Sequence, residues 1–306
     1  MNLKPGANLE PNDMVVVNVT VKRRDPSGLV PAADVPVALY WDYGTSREKL
    51  AGEMVTREDG TTFLETWAGS PGETHTLTVV ARDTELLTGS RTENVTVHFR
   101  YTPGMWVDAG PNPHAYGTPM TVTGNLTNGD TGWIGDALMI VEFSPDGKKG
   151  WRRITERNTR PTWADGFRFS FGKITKDGYW RLRYPGYAGS LPAVSIPQYV
   201  DVRYRTQVSG FNASPEPVKK GKAVTVTGRL SRYVPNAKPG AGAVVYVYFK
   251  AKGHSTWTQM AVAKTDAKGR FKKALKVSKD GTWMAMYKGN STYMKSNAPS
   301  DYVDVR

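Results

Sequence analysis

The side chains that most often carry enzyme chemistry are scattered in this 306-residue chain. It contains no cysteine, which excludes disulfides, zinc ribbons and thiol catalysis. The four histidines lie far apart in sequence and lack the spacing of metal ligands; they are His75, His98, His114 and His254. No nucleophile elbow, phosphate loop or dinucleotide fingerprint is present. The sequence therefore predicts a protein that is not an enzyme and that uses no metal or other cofactor.

One oxygen-rich connection leaves a calcium site open as an alternative. Asn125, Asn128, Asp130 and Asp136 place side-chain oxygens within one short stretch, and calcium prefers oxygen ligands. Because Asn and Asp are also ordinary turn residues, a plain loop is the favoured interpretation of this stretch.

Two tryptophans in predicted connections are candidate ligand-binding residues. Trp133 lies between glycines, and Trp163 lies close to Pro161 and Asp165. Aromatic rings on exposed loops often form recognition surfaces for sugars or proteins. The alternative is that both rings cap the ends of a domain or pack against a neighbouring one.

Basic residues form a second candidate binding set, in two groups. The first group precedes a predicted strand and consists of Lys219, Lys220 and Lys222. The second lies within another predicted strand and the turn before it, and consists of Lys268, Arg270, Lys272, Lys273 and Lys276. Two-residue alternation places Arg270, Lys272 and Lys276 on the outer face and leaves the side of Lys273 undecided.

Net charge is concentrated at one end of the chain. Residues 1–100 carry 10 Lys and Arg against 14 Asp and Glu, residues 101–204 carry 12 against 9, and residues 205–306 carry 19 against 5. The net charges are thus −4, +3 and +14. This asymmetry predicts an anionic polymer or a protein partner at a cell surface, held by charge and without specific recognition of nucleic acid. The alternative is that the lysines only keep the protein soluble and protect sheet edges from pairing.

The elements that would position these residues belong to a repeated unit of about 100 residues, the size of one sandwich domain. Segment 176–180 recurs as 279–283, and segment 199–203 recurs as 302–306, both at an offset of 103. We therefore predict three domains, at residues 1–100, 101–204 and 205–306. The first is the most diverged copy.

Short alternating runs between Gly, Pro, Asn and Asp turns predict strands throughout. In the third domain the predicted strands are Thr206–Phe211, Ala223–Leu230, Ala243–Lys250, Thr256–Ala263, Arg270–Val277, Thr282–Lys288 and Asp301–Arg306. Seven strands is the number of a basic immunoglobulin-like sandwich. The predicted fold class is therefore all-β, with three tandem immunoglobulin-like β-sandwich domains. No apolar run is long enough for a membrane-spanning helix.

The third domain also resembles a known family. Gly281-Thr282-Trp283, the stretch from Tyr287 to Tyr293, Ser296 and the turn from Thr265 to Phe271 resemble the closing strands and turns of bacterial immunoglobulin-like domains. These are repeated in secreted and surface proteins of actinobacteria such as the streptomycetes. The resemblance covers the second domain less well, and the first only by strand order. It implies a sandwich fold in an extracellular or cell-wall setting, and it carries no catalytic residues.

The leading hypothesis is a non-enzymatic extracytoplasmic module for binding or adhesion. Its third domain would engage an anionic surface polymer or a protein partner. Two alternatives stay open: a structural spacer in a secreted or phage-like assembly, and a carbohydrate-binding accessory module. The chain shows no signal-peptide pattern at its N-terminus, so we expect either that a leader has been removed or that export follows another route.

Overall fold

The computed structural model describes residues 6–128, 132, 134–159 and 167–306. Every regular element in those ranges is a β-strand. Within the same ranges, no helix is present that is long and apolar enough to cross a membrane. Alternation with a period of two residues, interrupted by turns, favours strands because each strand can bury only one of its faces.

The first domain forms two facing sheets and a hairpin. Its strands are β1 (Ala7–Leu9), β2 (Met14–Thr20), β3 (Lys22–Asp25), β4 (Gly28–Pro31), β5 (Pro36–Trp41), β6 (Lys49–Val55), β7 (Thr61–Trp67), β8 (Thr74–Ala81), β9 (Ser90–Arg91) and β10 (Val95–Phe99). One sheet has the order β1-β10-β8-β5-β6, with β9 on β8, and the other consists of β2 and β7. The hairpin pairs β3 with β4. Leu39, Leu64 and Phe99 are buried in the core.

The second domain repeats this order with an additional strand beside the smaller sheet. Its strands are β11 (Pro103–Gly110), β12 (His114–Ala115), β13 (Thr118–Asn128), β14 (Leu138–Ser144), β15 (Arg152–Asn158), β16 (Phe167–Ile174), β17 (Gly178–Tyr184), β18 (Ala193–Val194), β19 (Gln198–Val200) and β20 (Val202–Arg203). The sheet β11-β13-β16 faces β15-β14-β17-β18, with β19 on β17, and β12 pairs with β20. Met120, Met139 and Leu182 are fully buried between the sheets.

The third domain has the same plan. Its strands are β21 (Thr206–Ser214), β22 (Ala223–Val234), β23 (Asn236–Pro239), β24 (Val244–Ala251), β25 (Thr258–Lys264), β26 (Arg270–Lys276), β27 (Gly281–Tyr287), β28 (Ser296–Asn297) and β29 (Asp301–Val303). In one sheet β22 lies between β21 and β26 and also pairs with β23; the other has the order β25-β24-β27-β28, with β29 on β27. The chain is thus all-β, with tandem immunoglobulin-like sandwiches.

Strand faces follow the alternation expected from the sequence. Val224 and Val226 are fully buried, and Val303 is buried in the last strand. Phe167 and Phe169 are buried on one face of β16, where they alternate with the exposed Arg168 and Ser170. The seven strands predicted for the third domain are confirmed with small shifts at their ends. The short strands β23 and β28 were not predicted, because they form only where the neighbouring strand supplies backbone partners.

The repeated Asp-Gly-x-Trp segments have a structural explanation. The carboxylates of Asp177 and Asp280 accept hydrogen bonds from backbone N–H groups of the final strands, at 2.7 and 2.9 Å. A Cβ at Gly178 or Gly281 would collide with a phenylalanine ring. Each of these rings packs on the tryptophan of the same motif: Phe143 on Trp180 at 5.0 Å, and Phe249 on Trp283 at 4.8 Å between centroids. The motif therefore ties the end of each domain to the core of its sandwich.

A buried threonine occurs at the same structural position in all three domains, which includes the diverged first copy. The residues are Thr56, Thr159 and Thr265. Their hydroxyl oxygens accept hydrogen bonds from the backbone N–H groups of Val35 (3.0 Å), Ala137 (2.8 Å) and Ala243 (2.8 Å). Each bond fixes the chain where it enters the central strand of the larger sheet.

The two linkers between domains make equivalent backbone hydrogen bonds. The N–H of Tyr101 donates to the carbonyl of Gly189 at 3.0 Å, and the carbonyl of Tyr101 accepts from Leu191 at 2.9 Å. Tyr204 makes the equivalent pair of bonds, to Thr292 and Met294, both at 2.9 Å. Each linker residue therefore pairs with the domain that follows it.

A buried ion-pair network lies in the second domain. The Glu142 carboxylate accepts hydrogen bonds from Arg181 and Arg183, both at 2.8 Å. Burial opposes ionisation of this carboxyl, but the two guanidinium groups outweigh it and hold its pKa below the ordinary value of 4.5. Arg181 also lies over the ring of Trp151, at 3.9 Å from the centroid.

We expect Thr265→Val to lower the free energy of unfolding of the third domain by about 1–3 kcal/mol, because it leaves the buried N–H of Ala243 without an acceptor. Amide hydrogen exchange of residues 205–306 in the full chain measures this change for one domain. Thr258→Val, at an exposed position, is the matched control. Equal losses in both variants would contradict a special role for the buried hydroxyl.

The Glu142 network makes the stability of the second domain depend on pH. A carboxyl whose pKa is lowered by folding stabilises the native state above its unfolded pKa, and this contribution is lost as the pH falls. We expect the thermal midpoint of the second domain to fall from pH 5 towards pH 3, and to fall less in Glu142→Gln. Glu156→Gln, which breaks an exposed pair with Arg153, should leave the wild-type pH profile unchanged. Parallel profiles for Glu142→Gln and wild type would count against the network.

Candidate functional site

Strand β26 carries four of the eight predicted basic residues, and it lies at the edge of its sheet. Its partner is β22, with Arg270 opposite Arg229 and Lys272 opposite Thr227. Phe271, between the two cations in sequence, is 3% exposed and points into the core. Arg270 and Lys272 therefore point outward, as the alternation predicted.

A shallow concavity of about 650 Å³ opens on this outer face. It extends from β21 across β22 and β26 to the end of β25. Its lining residues are Ser209, Gly210, Thr227, Gly228, Arg229, Lys264, Asp266, Arg270, Phe271 and Lys272. Four of these are cationic, and we call the site formed by Arg229, Lys264, Arg270 and Lys272 the basic groove.

The cations of the basic groove form no close ion pair with the described acidic residues. Among the residues that the structure describes, none of the four forms an ion pair within 4.0 Å. Arg229 and Arg270 even lie directly opposite each other on antiparallel strands, where like charges destabilise a sheet. This arrangement is unfavourable for folding and favourable for an anion that would lie between the two guanidinium groups.

The one acidic residue of the groove, Asp266, is engaged by the backbone. Its carboxylate accepts hydrogen bonds from the N–H groups of Arg270 and Lys268, both at 2.8 Å. The bond from Arg270 is the largest of the effects that hold the pKa of this carboxyl below its ordinary value. Asp266 thus stays ionised and shapes the turn before β26, leaving the groove with an excess of positive charge.

The structure separates the other predicted basic residues from the groove. Lys268 is exposed in the turn that Asp266 organises. Lys276 lies opposite Ala223, six residues along β22 from Arg229, which is roughly 20 Å at the rise of a strand. The turn that contains Lys219, Lys220 and Lys222 adjoins that far end, where the carbonyl of Lys222 accepts from Val277.

The side of Lys273, which the sequence left undecided, is now known. It lies opposite Val226, which is fully buried, so it belongs to the inner face of the sheet. Lys273 is nevertheless exposed, because β26 is an edge strand. An inward-facing lysine on an edge is a known device against unwanted strand pairing.

Sequence reasoning did not identify Arg229 and Lys264 as site residues. Arg229 is one of two arginines in a strand whose other residues are neutral, and Lys264 is the last residue of β25. The two-residue period of each strand predicts that both side chains point outward. Their position beside Arg270, however, depends on the register of β22 with β26 and on the packing of the two sheets.

The two tryptophan candidates, Trp133 and Trp163, lie outside the described residues, so a carbohydrate-binding role for them stays a prediction. Asp130 of the alternative calcium site also lies outside them. Asp136 accepts a hydrogen bond from the Asn158 side chain at 3.2 Å. Within the described ranges, no group of three or more His, Asp or Glu side chains could hold a metal ion.

Comparison with known proteins finds solved structures with low sequence identity, but no family model and no curated protein. No family model matches the chain, and no curated protein matches it. Three N-terminal domains of the bacteriophage RB49 Highly Immunogenic Outer Capsid protein (Hoc) align over 100% of this chain and 97% of theirs, with 12% identity and a TM-score of 0.29. The FN1–FN3 domains of chicken CNTN1 align over 99% and 98%, with 13% identity and a TM-score of 0.32.

A third structure aligns with this chain over part of a longer polypeptide. Escherichia coli alpha-2-macroglobulin aligns over 100% of this chain and 34% of its own, with 10% identity and a TM-score of 0.25. At these TM-scores none of the three structures indicates a function or a family for this chain. The fold assignment rests on the strand order and pairing described above.

We expect Arg229→Thr to raise the free energy of unfolding of the third domain by about 0.2–1 kcal/mol, because it removes a like-charged cross-strand pair. Chemical denaturation of the full chain, with hydrogen exchange to assign the domain, measures the change. Arg232→Gln, on the same strand, is the control with the opposite expected sign, since Arg232 lies over the ring of Tyr293 at 4.4 Å. A loss of stability in Arg229→Thr would show that the arginine serves the fold.

Proposed function

We propose that this protein is a non-enzymatic binding module whose third domain holds an anionic polymer in the basic groove. The observation that carries this proposal is the Arg229–Arg270 pair, which lies at a concave surface and forms no ion pair within 4.0 Å in the described part of the chain. Solubility alone would be served by lysines that are spread out. Two arginines that face each other across neighbouring strands cost stability and supply planar donors for an oxyanion.

The chemistry of the groove favours phosphate over bases. Arginine donors suit phosphate oxygens in a bidentate arrangement, and Lys264 and Lys272 add charge at the rim. Outward residues on one strand recur about every 6.6 Å, so Arg270 and Lys272 present two charges along β26 at a spacing that a chain of repeating phosphates could follow. Of the described residues that line the groove, only Phe271 is aromatic, and it is buried. A polyol-phosphate wall polymer such as teichoic acid is the ligand class that we propose.

The proposed setting is extracytoplasmic, at or near a bacterial cell wall. Support comes from the resemblance of the third domain to the repeated immunoglobulin-like domains of secreted actinobacterial proteins, and from the tandem architecture. The acidic first domain, with a net charge of −4, would be repelled by the same polymer. A wall-bound chain would therefore be attached through its third domain, which leaves the first domain available for another partner.

A structural spacer in a larger assembly is the second candidate function. The observation that favours it is the identical fastening of the two joints, where Tyr101 and Tyr204 each exchange two backbone hydrogen bonds with the following domain. Such bonds limit rotation about the linker, which a spacer requires. This function needs no ligand in the basic groove.

Cosedimentation of the full chain with Gram-positive cell walls, before and after removal of teichoic acid and across a salt series, tests the proposed ligand. A groove variant with Gln at Arg229, Lys264, Arg270 and Lys272 should lose most of the retention and most of its salt dependence. The matched control has Gln at Lys219, Lys220, Lys222 and Lys276, which removes the same charge from the far end of the domain. We expect the control to retain at least tenfold more binding than the groove variant.

Two results would reject the proposal. Equal losses in both variants would mean that net charge alone, and no groove, attracts the polymer. Retention by wild-type protein that does not change when teichoic acid is removed would exclude this ligand class.

A further inference from the structure

A stack of aromatic and cationic side chains crosses the boundary between the second and third domains. Tyr116 of the second domain, Tyr204 of the linker and Tyr293 of the third domain follow one another, with ring centroids 4.7 and 6.2 Å apart. Both separations lie in the range at which aromatic rings attract each other. The guanidinium group of Arg232 lies over the Tyr293 ring, 4.4 Å from its centroid. We call these four partly buried residues the tyrosine stack.

The outer two rings of the tyrosine stack are each fixed to their own domain. The N–H of Tyr116 donates to the carbonyl of Arg203 at 2.8 Å, which ties the first ring to the last strand of the second domain. In the third domain, the Asn290 side-chain oxygen accepts from the N–H groups of Thr292 and Tyr293, both at 2.9 Å. The N–H of Asn290 also donates to the carbonyl of Tyr293 at 2.9 Å. The loop that carries the third ring is therefore held in one shape.

The middle ring, that of Tyr204, is held by the backbone of the linker. Tyr204 makes its two backbone hydrogen bonds with Thr292 and Met294. The Thr206 hydroxyl donates to the carbonyl of Met294 at 2.8 Å, which fixes the end of the linker to the same loop. Tyr204 belongs to the hydrophobic core of neither domain. Its ring therefore serves the contact between the domains, and neither sandwich needs it to fold.

The position of Arg232 is unfavourable for its own strand and favourable for the tyrosine stack. Arg232 lies opposite Lys238, and like charges at such a position destabilise a sheet. Its Nε atom is buried and makes no hydrogen bond to the described residues. The contact with the Tyr293 ring compensates for both, because a cation over an aromatic face is attracted by it.

The first linker has the same backbone bonds but a different side chain at the position of the third ring. The isolated bridge between Tyr204 and Tyr293 corresponds to a bridge between Tyr101 and Ser190. Serine has no ring, so the Tyr204–Tyr293 contact has no counterpart at that position. The second linker therefore has a side-chain contact beyond the backbone bonds that both linkers share.

We propose that the tyrosine stack joins the second and third domains into one rigid unit. Neighbouring domains of one chain move relative to each other unless the interface between them is extensive. Backbone bonds at a single linker residue still permit bending about that residue, whereas a ring held between rings of both domains opposes it. The stack thereby fixes the direction of the basic groove relative to the second domain. The proposal concerns contacts within the chain, so it depends neither on a ligand in the groove nor on a larger assembly.

The distance between two spin labels measures how far the two domains bend. The chain contains no cysteine, so cysteines introduced at Lys148 and Lys279 are the only sites of labelling. Both positions are exposed and lie between strands, one in each domain. We expect double electron–electron resonance to give one narrow distance distribution, because a rigid unit holds the two labels at one separation.

Tyr204→Ala removes the middle ring and keeps the backbone bonds. We expect it to widen the distance distribution about twofold or more, because the domains then move independently. Tyr204→Phe keeps the ring and should keep the distribution narrow. Tyr101→Ala removes the equivalent ring of the first linker and is the matched control, which should leave the distribution as in the wild type. Hydrogen exchange within both domains should be unchanged in all three variants, which shows that each variant is folded.

Three outcomes would overturn the proposal. The first is a broad distribution in the wild-type chain, since the domains would then bend at the linker. The second is a Tyr204→Ala distribution as narrow as that of the wild type, since the backbone bonds alone would then hold the domains. The third is a Tyr204→Phe distribution as broad as that of Tyr204→Ala, since the hydroxyl group and not the ring would then be responsible. None of these outcomes bears on retention by cell walls, which separates the two tests.

Discussion

Each strand of this chain can bury only one of its two faces, and the rest of the structure depends on how the other face and the edges are used. The inner faces are nearly interchangeable among the three domains: they carry Val, Leu, Met and Phe, and they close over the same buried threonine. Substitutions on the inner faces disturb core packing and lower stability, whereas those on outer faces and edges change stability little. The domains therefore differ mainly on their outer faces and edges.

Those differences distinguish the surfaces of the three domains. The third domain has cations on its outer face, the first has exposed apolar side chains on β2 and β7, and the second has a salt-bridged network around Glu142. One scaffold repeated three times thus presents three chemically distinct surfaces. This is the usual relation between sandwich folds and binding, in which the fold supports function but does not specify it.

In the function that we propose, the Arg229–Arg270 pair lowers stability and supports binding. Two like charges at a directly opposed position oppose the pairing of β22 with β26. The same two side chains point into a concavity in which a bound anion would cancel their repulsion.

Much of the architecture could be predicted from the sequence because its signals are local. Apolar and polar residues alternate around Val224, Val226 and Phe167, and all three apolar side chains are buried. The repeat is evident from the sequence alone, because two segments recur at an offset of 103 residues. The role of the Asp-Gly-x-Trp motif was not predictable in this way, since it requires a phenylalanine ring from a distant strand to lie above the glycine.

The sequence by itself determined the class of fold, the uneven charge and the outward direction of Arg270 and Lys272. Tertiary structure alone decided which cations meet: it placed Arg229 opposite Arg270, brought Lys264 to the same groove, and separated Lys276 from it. The physical reason is that a strand's period of two is encoded within the strand. The register between strands and the approach of one sheet to another depend on all the side chains packed between them.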